Sequence, residues 1–180
     1  MAGPGASQDR LQPSLLDRLT DLEPGKLSET LEARVLNRKQ LREAVLRDIA
    51  WLLNAVCEEP GLMNLRANPD RITLWQQMAH ARDSVMNFGV PPLTGQSITM
   101  EHFPVIEEQL RLALIRFEPR IDPETLEVRV LNDMSTGARP TSIRISLKGH
   151  MWNQPVPLEL LLSAEVDVDT GQTSVRDLRS

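Results

Sequence analysis

The chain has 180 residues, 41% hydrophobic, 25% charged and only 3% aromatic, with a formal net charge of −5. This is an ordinary globular composition, long enough for one domain with a substantial core. The negative balance argues against a nucleic-acid backbone as the main partner, the scarce aromatics leave few surfaces for stacking bases or sugars, and the single cysteine, Cys57, excludes an internal disulfide.

Residues 1–13 are small, polar and proline-bearing, the composition of a disordered segment without the basic start and apolar run of a secretory signal. Ser14 is a predicted N-cap for a short helix that places Leu15, Leu16 and Leu19 on one face. Pro24-Gly25 marks a turn. We expect residues 1–30 to form a flexible arm and 31–180 a single domain. The arm helix then either folds back onto its own domain or docks on another subunit.

Residues 36–57 read as a helix, with Leu41, Val45, Ile49, Leu52, Leu53 and Val56 at three- and four-residue steps, ended by Pro60-Gly61. A second helix is expected within 73–88, with Trp75, Met78, Arg82 and Val85 in register and Gly89 as its left-handed stop. The third carries Phe103, Ile106, Leu110, Ala113, Leu114 and Phe117. Pro104 belongs in its first turn, which starts it at 101–103 although Ser97 and Thr99 look like better caps.

Pro119 forces the changeover from helix to sheet, because it cannot donate a helical hydrogen bond and biases Glu118 out of helical dihedrals. Beyond it the hydrophobic period falls from 3.6 to 2. Residues 126–131, 142–148, 156–168 and 173–175 read as strands, the last two joined by the Asp169-Thr170-Gly171 turn. The fold class is α+β, with N-terminal helices packed against a small antiparallel sheet from the C-terminal half. No apolar run is long enough to span a membrane.

The sequence carries little catalytic chemistry. His80, His102 and His150 are scattered and share no zinc-ligand spacing with Cys57, so no metal or other cofactor is expected. No phosphate-cradling glycine loop or nucleophile elbow is present. Glu118, Asp122 and Glu124 suggest a glycosidase carboxylate pair, but Arg120 is positioned to hold Glu118 ionised and unable to serve as an acid.

Four ordered segments nevertheless match a known pattern. Phe117-Glu118-Pro119-Arg120-Ile121 resembles the FEPRL-type signature of the contractile-tail baseplate wedge family. Arg47, Asp48, Leu53 and Asn54 fall where that family has its RDLxxLLN helix. Residues 84–91, with Asn87, Phe88, Gly89 and Pro91, resemble its SVLNYGLPD segment, apart from Met86 for leucine and Phe88 for tyrosine. Residues 14–19 resemble the SLLDRL start of the TssE proteins of type VI secretion systems. The resemblance spans roughly residues 14–180.

The resemblance implies a structural protein and not an enzyme, although family members were often labelled lysozyme-like. It implies a cytoplasmic position at the inner membrane, with other wedge proteins and contractile sheath subunits as partners, the latter through β-strand addition. It implies no nucleic acid and no membrane insertion. Glu118, Pro119 and Arg120, with Leu15, Leu16 and Leu19, are then the expected partner-binding residues. A peptidoglycan glycosidase and a generic α+β adaptor are the alternatives.

Overall fold

A computed structural model describes residues 14–20, 24–25, 36–60, 69–95, 98–131, 141–152 and 157–179. Residues 1–13, the 132–140 connection and the turn at 153–155 lie outside them.

Helix α1, Leu15–Leu19, starts as its sequence requires: the Asp17 N–H donates to the Ser14 hydroxyl, and the Asp17 carboxylate returns to the Ser14 backbone. Helix α2, Arg38–Asn54, opens with the same reciprocal cap, between Asn37 and Gln40. It buries Leu41, Ala44, Val45, Ile49, Leu52 and Leu53.

Helix α2 ends at Asn54, short of the predicted 57. Ala55 is extended, and the chain enters a parallel bridge, Val56 to Val90, through Val90 N–H to Ala55 C=O (2.9 Å) and Cys57 N–H to Val90 C=O (3.2 Å). Val56 therefore leaves the apolar stripe and is 64% exposed. Gly89 makes this approach possible: its φ is +131°, and a Cβ there would lie 2.5 Å from the Ala55 oxygen.

The helix expected within 73–88 is broken into α3 (Pro69–Gln77), α4 (Ala79–Arg82) and a single 3₁₀ turn, Val85–Asn87. Its register is not a packing face: α3 and α4 bury no side chain, and Met78 and Val85 are exposed. The break has a polar cause. Asn87 is buried, and its amide donates to the Arg82 carbonyl at 3.0 Å while its oxygen accepts from the Glu59 N–H at 2.9 Å. A local side-chain bond of this kind competes with the helical ladder.

Thr99 resolves the start of the third helix. It caps a 3₁₀ turn, Met100–His102, exchanging bonds with His102, and this turn feeds α5, Phe103–Phe117, with Pro104 in its first turn. The helix buries Ile106, Leu110, Ala113 and Leu114.

The C-terminal half is a four-stranded antiparallel meander, β1 (Glu127–Val130), β2 (Ser142–Met151), β3 (Leu158–Asp167) and β4 (Thr173–Asp177), in that spatial order. The α+β expectation holds. Strand β2 runs three residues beyond the predicted 148 because Gly149, His150 and Met151 pair with Leu160, Glu159 and Leu158 of β3, and Met151 is also bridged by Ile121. Alternate residues face one way: Ile143, Ile145 and Leu147 of β2 and Leu160, Leu162 and Ala164 of β3 are fully buried. They share one core with Ile49, Leu52, Ile106 and Leu114 of α2 and α5. Each such Leu or Ile contributes about 1.5–3 kcal/mol of transfer free energy. The edges, β1 and β4, are flanked by α5 and α2 respectively.

Candidate functional site

The elbow follows directly from α5. The Glu118 N–H closes the last helical turn on Leu114 C=O at 2.8 Å, and Pro119 stands exposed at the apex. The chain then rejoins the sheet, because Trp152 N–H donates to Arg120 C=O (2.8 Å) and Asp122 N–H to His150 C=O (2.9 Å).

Glu118 points inward and is 2% exposed. Its Oε1 accepts from the Arg120 backbone N–H (3.2 Å) and Nε (2.6 Å), and its Oε2 from Arg120 Nη2 (2.5 Å). This is the bidentate geometry that suits a guanidinium to a carboxylate. Arg120 Nη2 also reaches Asp48 Oδ2 on α2. Burial opposes the charge on Arg120, but hydrogen bonds and charge from Glu118, then from Asp48, raise its pKa above the ordinary guanidinium value.

The pairing continues. Arg47 Nε donates to Asp48 Oδ1 (2.9 Å), Arg47 Nη2 donates to Asp17 Oδ1 of α1 (2.8 Å), and the guanidinium lies 5.3 Å from the Trp51 ring centre. Five alternating charges, Asp17, Arg47, Asp48, Arg120 and Glu118, thus link the arm helix through α2 to the elbow. Leu15 and Leu19 of α1 remain 72% and 73% exposed and Leu16 is partly so. The arm helix is held by its carboxylate and not by its leucines.

The other motif residues meet at the end of α2. Leu53 is in the core, and the Asn54 amide pairs both ways with the Thr173 backbone of β4: Nδ2 donates to its C=O at 2.8 Å and Oδ1 accepts from its N–H at 2.9 Å. Phe88 packs edge-to-face on Phe117 at 5.4 Å, and Gly89 and Pro91 flank the bridge to Val56. Arg116 of α5 bridges Glu59 (3.0 Å) and Asp83 (3.3 Å). Cys57 is half buried, and burial, then the Glu59 charge, push its thiol up to about 11, so it stays protonated.

This chemistry is that of a brace. Both Glu118 oxygens are occupied by the Arg120 guanidinium, which ties the end of α5 to the chain beyond Pro119. Among the described residues no group of His, Cys, Asp and Glu is arranged to hold a metal. Sequence reasoning missed Asp17 and the Asp48–Arg120 contact. The i+3 relation of Asp17 to Ser14 was a local signal for the cap; nothing local signalled the contacts to Arg47 or Arg120.

The family model described as baseplate wedge protein gp25 matches residues 39–156, about two thirds of the chain. The chain belongs to this family. No curated protein and no solved structure matches it. The matched stretch contains the RDI–LLN helix, the Asn87–Pro91 segment and the elbow, which tie α2, α5 and the sheet together. The chain's role is therefore that of a structural component of a phage-tail-like baseplate, in contact with other baseplate proteins. No helix among the described residues is long and apolar enough to cross a membrane.

Proposed function

We propose that this chain is the TssE-type wedge protein of a type VI secretion baseplate, that it joins the wedge complex and that it templates assembly of the contractile sheath. The observation that carries the reading is the elbow brace within a baseplate-wedge match. The SLLDRL-like start points to the secretion branch of the family. The protein acts without hydrolase activity, in the cytoplasm against the inner membrane, as one domain (31–180) carrying an arm (1–30).

Wedge partners bind at two neighbouring places. One is the elbow, where Pro119 is exposed and Glu118 fixes Arg120 beside it. The other is the exposed leucine face of α1, held close by Asp17 and Arg47. An amphipathic helix with its apolar side in solvent suits helix-in-groove docking. Sheath subunits bind at a sheet edge by adding a strand.

Co-purification from cells expressing the whole baseplate tests this. We expect wedge and sheath proteins to accompany the tagged wild-type chain, and Leu15→Asp/Leu19→Asp to lose the wedge proteins with no change in melting temperature. Recovery of neither partner class with wild type, or clearing of a peptidoglycan suspension by the purified protein, would overturn the proposal.

A further inference from the structure

In an antiparallel pair, alternate residues of an edge strand turn their N–H and C=O groups away from the neighbour. On β1 the outward residues are Val128 and Val130, as shown by the Leu131 N–H bond to Arg144 C=O and the register of Val128 opposite Leu147. The Val130 N–H is received by Glu107 Oε1 of α5 at 2.9 Å, a carboxylate standing where a strand carbonyl would be. The N–H and C=O of Val128 have no partner among the described residues. Beside them runs a groove between β1 and α5, lined by Pro104, Glu107, Arg111 and Arg129.

On β4 the outward residues are Thr173, Val175 and Asp177. Here α2 pins both ends of the strand. Asn54 occupies the N–H and the C=O of Thr173. Arg42 binds Asp177 Oδ2 at 2.9 Å and the Glu159 carbonyl of β3 at 2.6 Å.

We propose that β1 is the receiving edge. An extended segment of a neighbouring sheath subunit enters the groove between β1 and α5, pairs with the backbone of Val128 and Val130, and displaces Glu107, which acts as a latch. The inference rests on the strand-addition reading above and assigns its site. The incoming strand supplies a carbonyl to the Val130 N–H in place of Glu107 and satisfies both groups of Val128. The displaced carboxylate is not stranded, because Arg129 Nη1 already stands 3.6 Å from Glu107 Oε2 in a solvent-facing position. No comparable exchange is available at Thr173, where an incoming strand must break two bonds to a neutral amide.

The test uses the full chain in cells assembling labelled sheaths. Val128→Pro removes an outward N–H and leaves the β1–β2 ladder intact, since proline is tolerated on an edge with its nitrogen facing out. Val175→Pro is the matched change on β4. We expect Val128→Pro to reduce assembled sheaths per cell at least about tenfold and Val175→Pro to stay within about twofold, the first being a loss of about 1.4 kcal/mol in sheath binding. Glu107→Ala removes the competitor and should raise sheath co-purification more than about twofold; an unchanged yield removes the latch. Assembly lost only with Val175→Pro overturns the β1 assignment while strand addition stands. Assembly retained by both variants overturns strand addition itself. If either proline variant fails to fold, or both block assembly, a benzophenone cross-linker at Arg129 or at Ser174 decides, because both side chains stand exposed on the solvent face of the sheet, one on each edge strand. Capture of the sheath subunit from position 129 alone supports the proposal, and capture from position 174 alone, or from neither, overturns it.

Discussion

The two edges of the sheet show how residue type sets the permanence of a contact. At β4 a carboxamide both donates and accepts, so Asn54 reproduces the two-bond pairing of a neighbouring strand residue at Thr173. At β1 a carboxylate can only accept, so Glu107 covers one N–H, and the carbonyl of the same residue has no partner among the described residues. Each edge is positioned by a helix end. The elbow after α5 delivers the chain toward β1 by means of charge. The end of α2 reaches β4 through Asn54 and is itself seated by close backbone packing of Ala55 and Cys57 on Gly89. The difference predicts that the β1 side is sensitive to loss of an ion pair and the β4 side to added volume.

Glu118→Ala tests the β1 side and should have the largest effect. It leaves the largely buried Arg120 facing Asp48 alone, and breaking a buried pair in this way costs about 3–5 kcal/mol. Urea denaturation should show that loss, and Glu118→Gln, which keeps a hydrogen-bond acceptor, should lose less. A loss below about 1 kcal/mol would mean that the elbow is set by Pro119 and packing alone.

Gly89→Ala tests the β4 side. The new Cβ would meet Ala55 oxygen at 2.5 Å and the Cys57 nitrogen at 2.9 Å, in a backbone with φ +131°. Strain and overpacking of this kind each cost about 1–3 kcal/mol. The melting temperature should fall clearly, and hydrogen exchange should rise at Val90 and Thr173 together, since both depend on the position of the α2 end. Exchange confined to Val90 would separate the bridge from the edge.

The next pair compares the edges themselves. Asn54→Ala strips both partners from Thr173, which is 7% exposed, and should cost about 1–3 kcal/mol. Glu107→Ala uncovers a single N–H next to an open groove, where water replaces the carboxylate, and should cost about 1 kcal/mol or less. Equal losses in chemical denaturation would erase the proposed contrast between a fixed edge and an exchangeable one.

Much of this was legible in the sequence where burial follows a period. The stripe Leu41, Val45, Ile49, Leu52 and Leu53, the alternation Ile143, Ile145 and Leu147, and the helix-to-sheet change at Pro119 all recur in the structure, because apolar spacing alone selects the buried face. The stripe failed at Val56 and across 73–88. There, polar groups decided the backbone: the Val90 bridge ended α2, and Asn87 broke the second helix through the nearby Arg82 carbonyl and the distant Glu59. The motif residues were recognised as a set, but their connections were not legible. Asp48 and Arg120 lie 72 residues apart, and Asn54 and Thr173 lie 119 apart, so no local pattern encodes either contact.

The smallest expected effect concerns the arm, which hangs from the α2 side of the same ion chain. Asp17 is partly buried, which raises its pKa, but hydrogen bonds from Ser14 and then Arg47, with the Arg47 charge, outweigh this and hold it below its ordinary value of 3.8. A carboxyl whose folded-state pKa is depressed stabilises the docked form above the undocked value and loses that contribution as pH falls through the docked value. The Asp17 contact should therefore contribute fully at neutrality and be lost only as pH falls below the ordinary carboxyl value of 3.8. Trp51 reports this, because the Arg47 guanidinium that binds Asp17 also lies over its ring. In a Trp75→Phe/Trp152→Phe background the Trp51 emission should change below that pH, ahead of the main acid unfolding transition. Asp17→Asn should abolish the early step and leave the main transition unchanged. An early step that persists in Asp17→Asn would show that it does not report release of the arm.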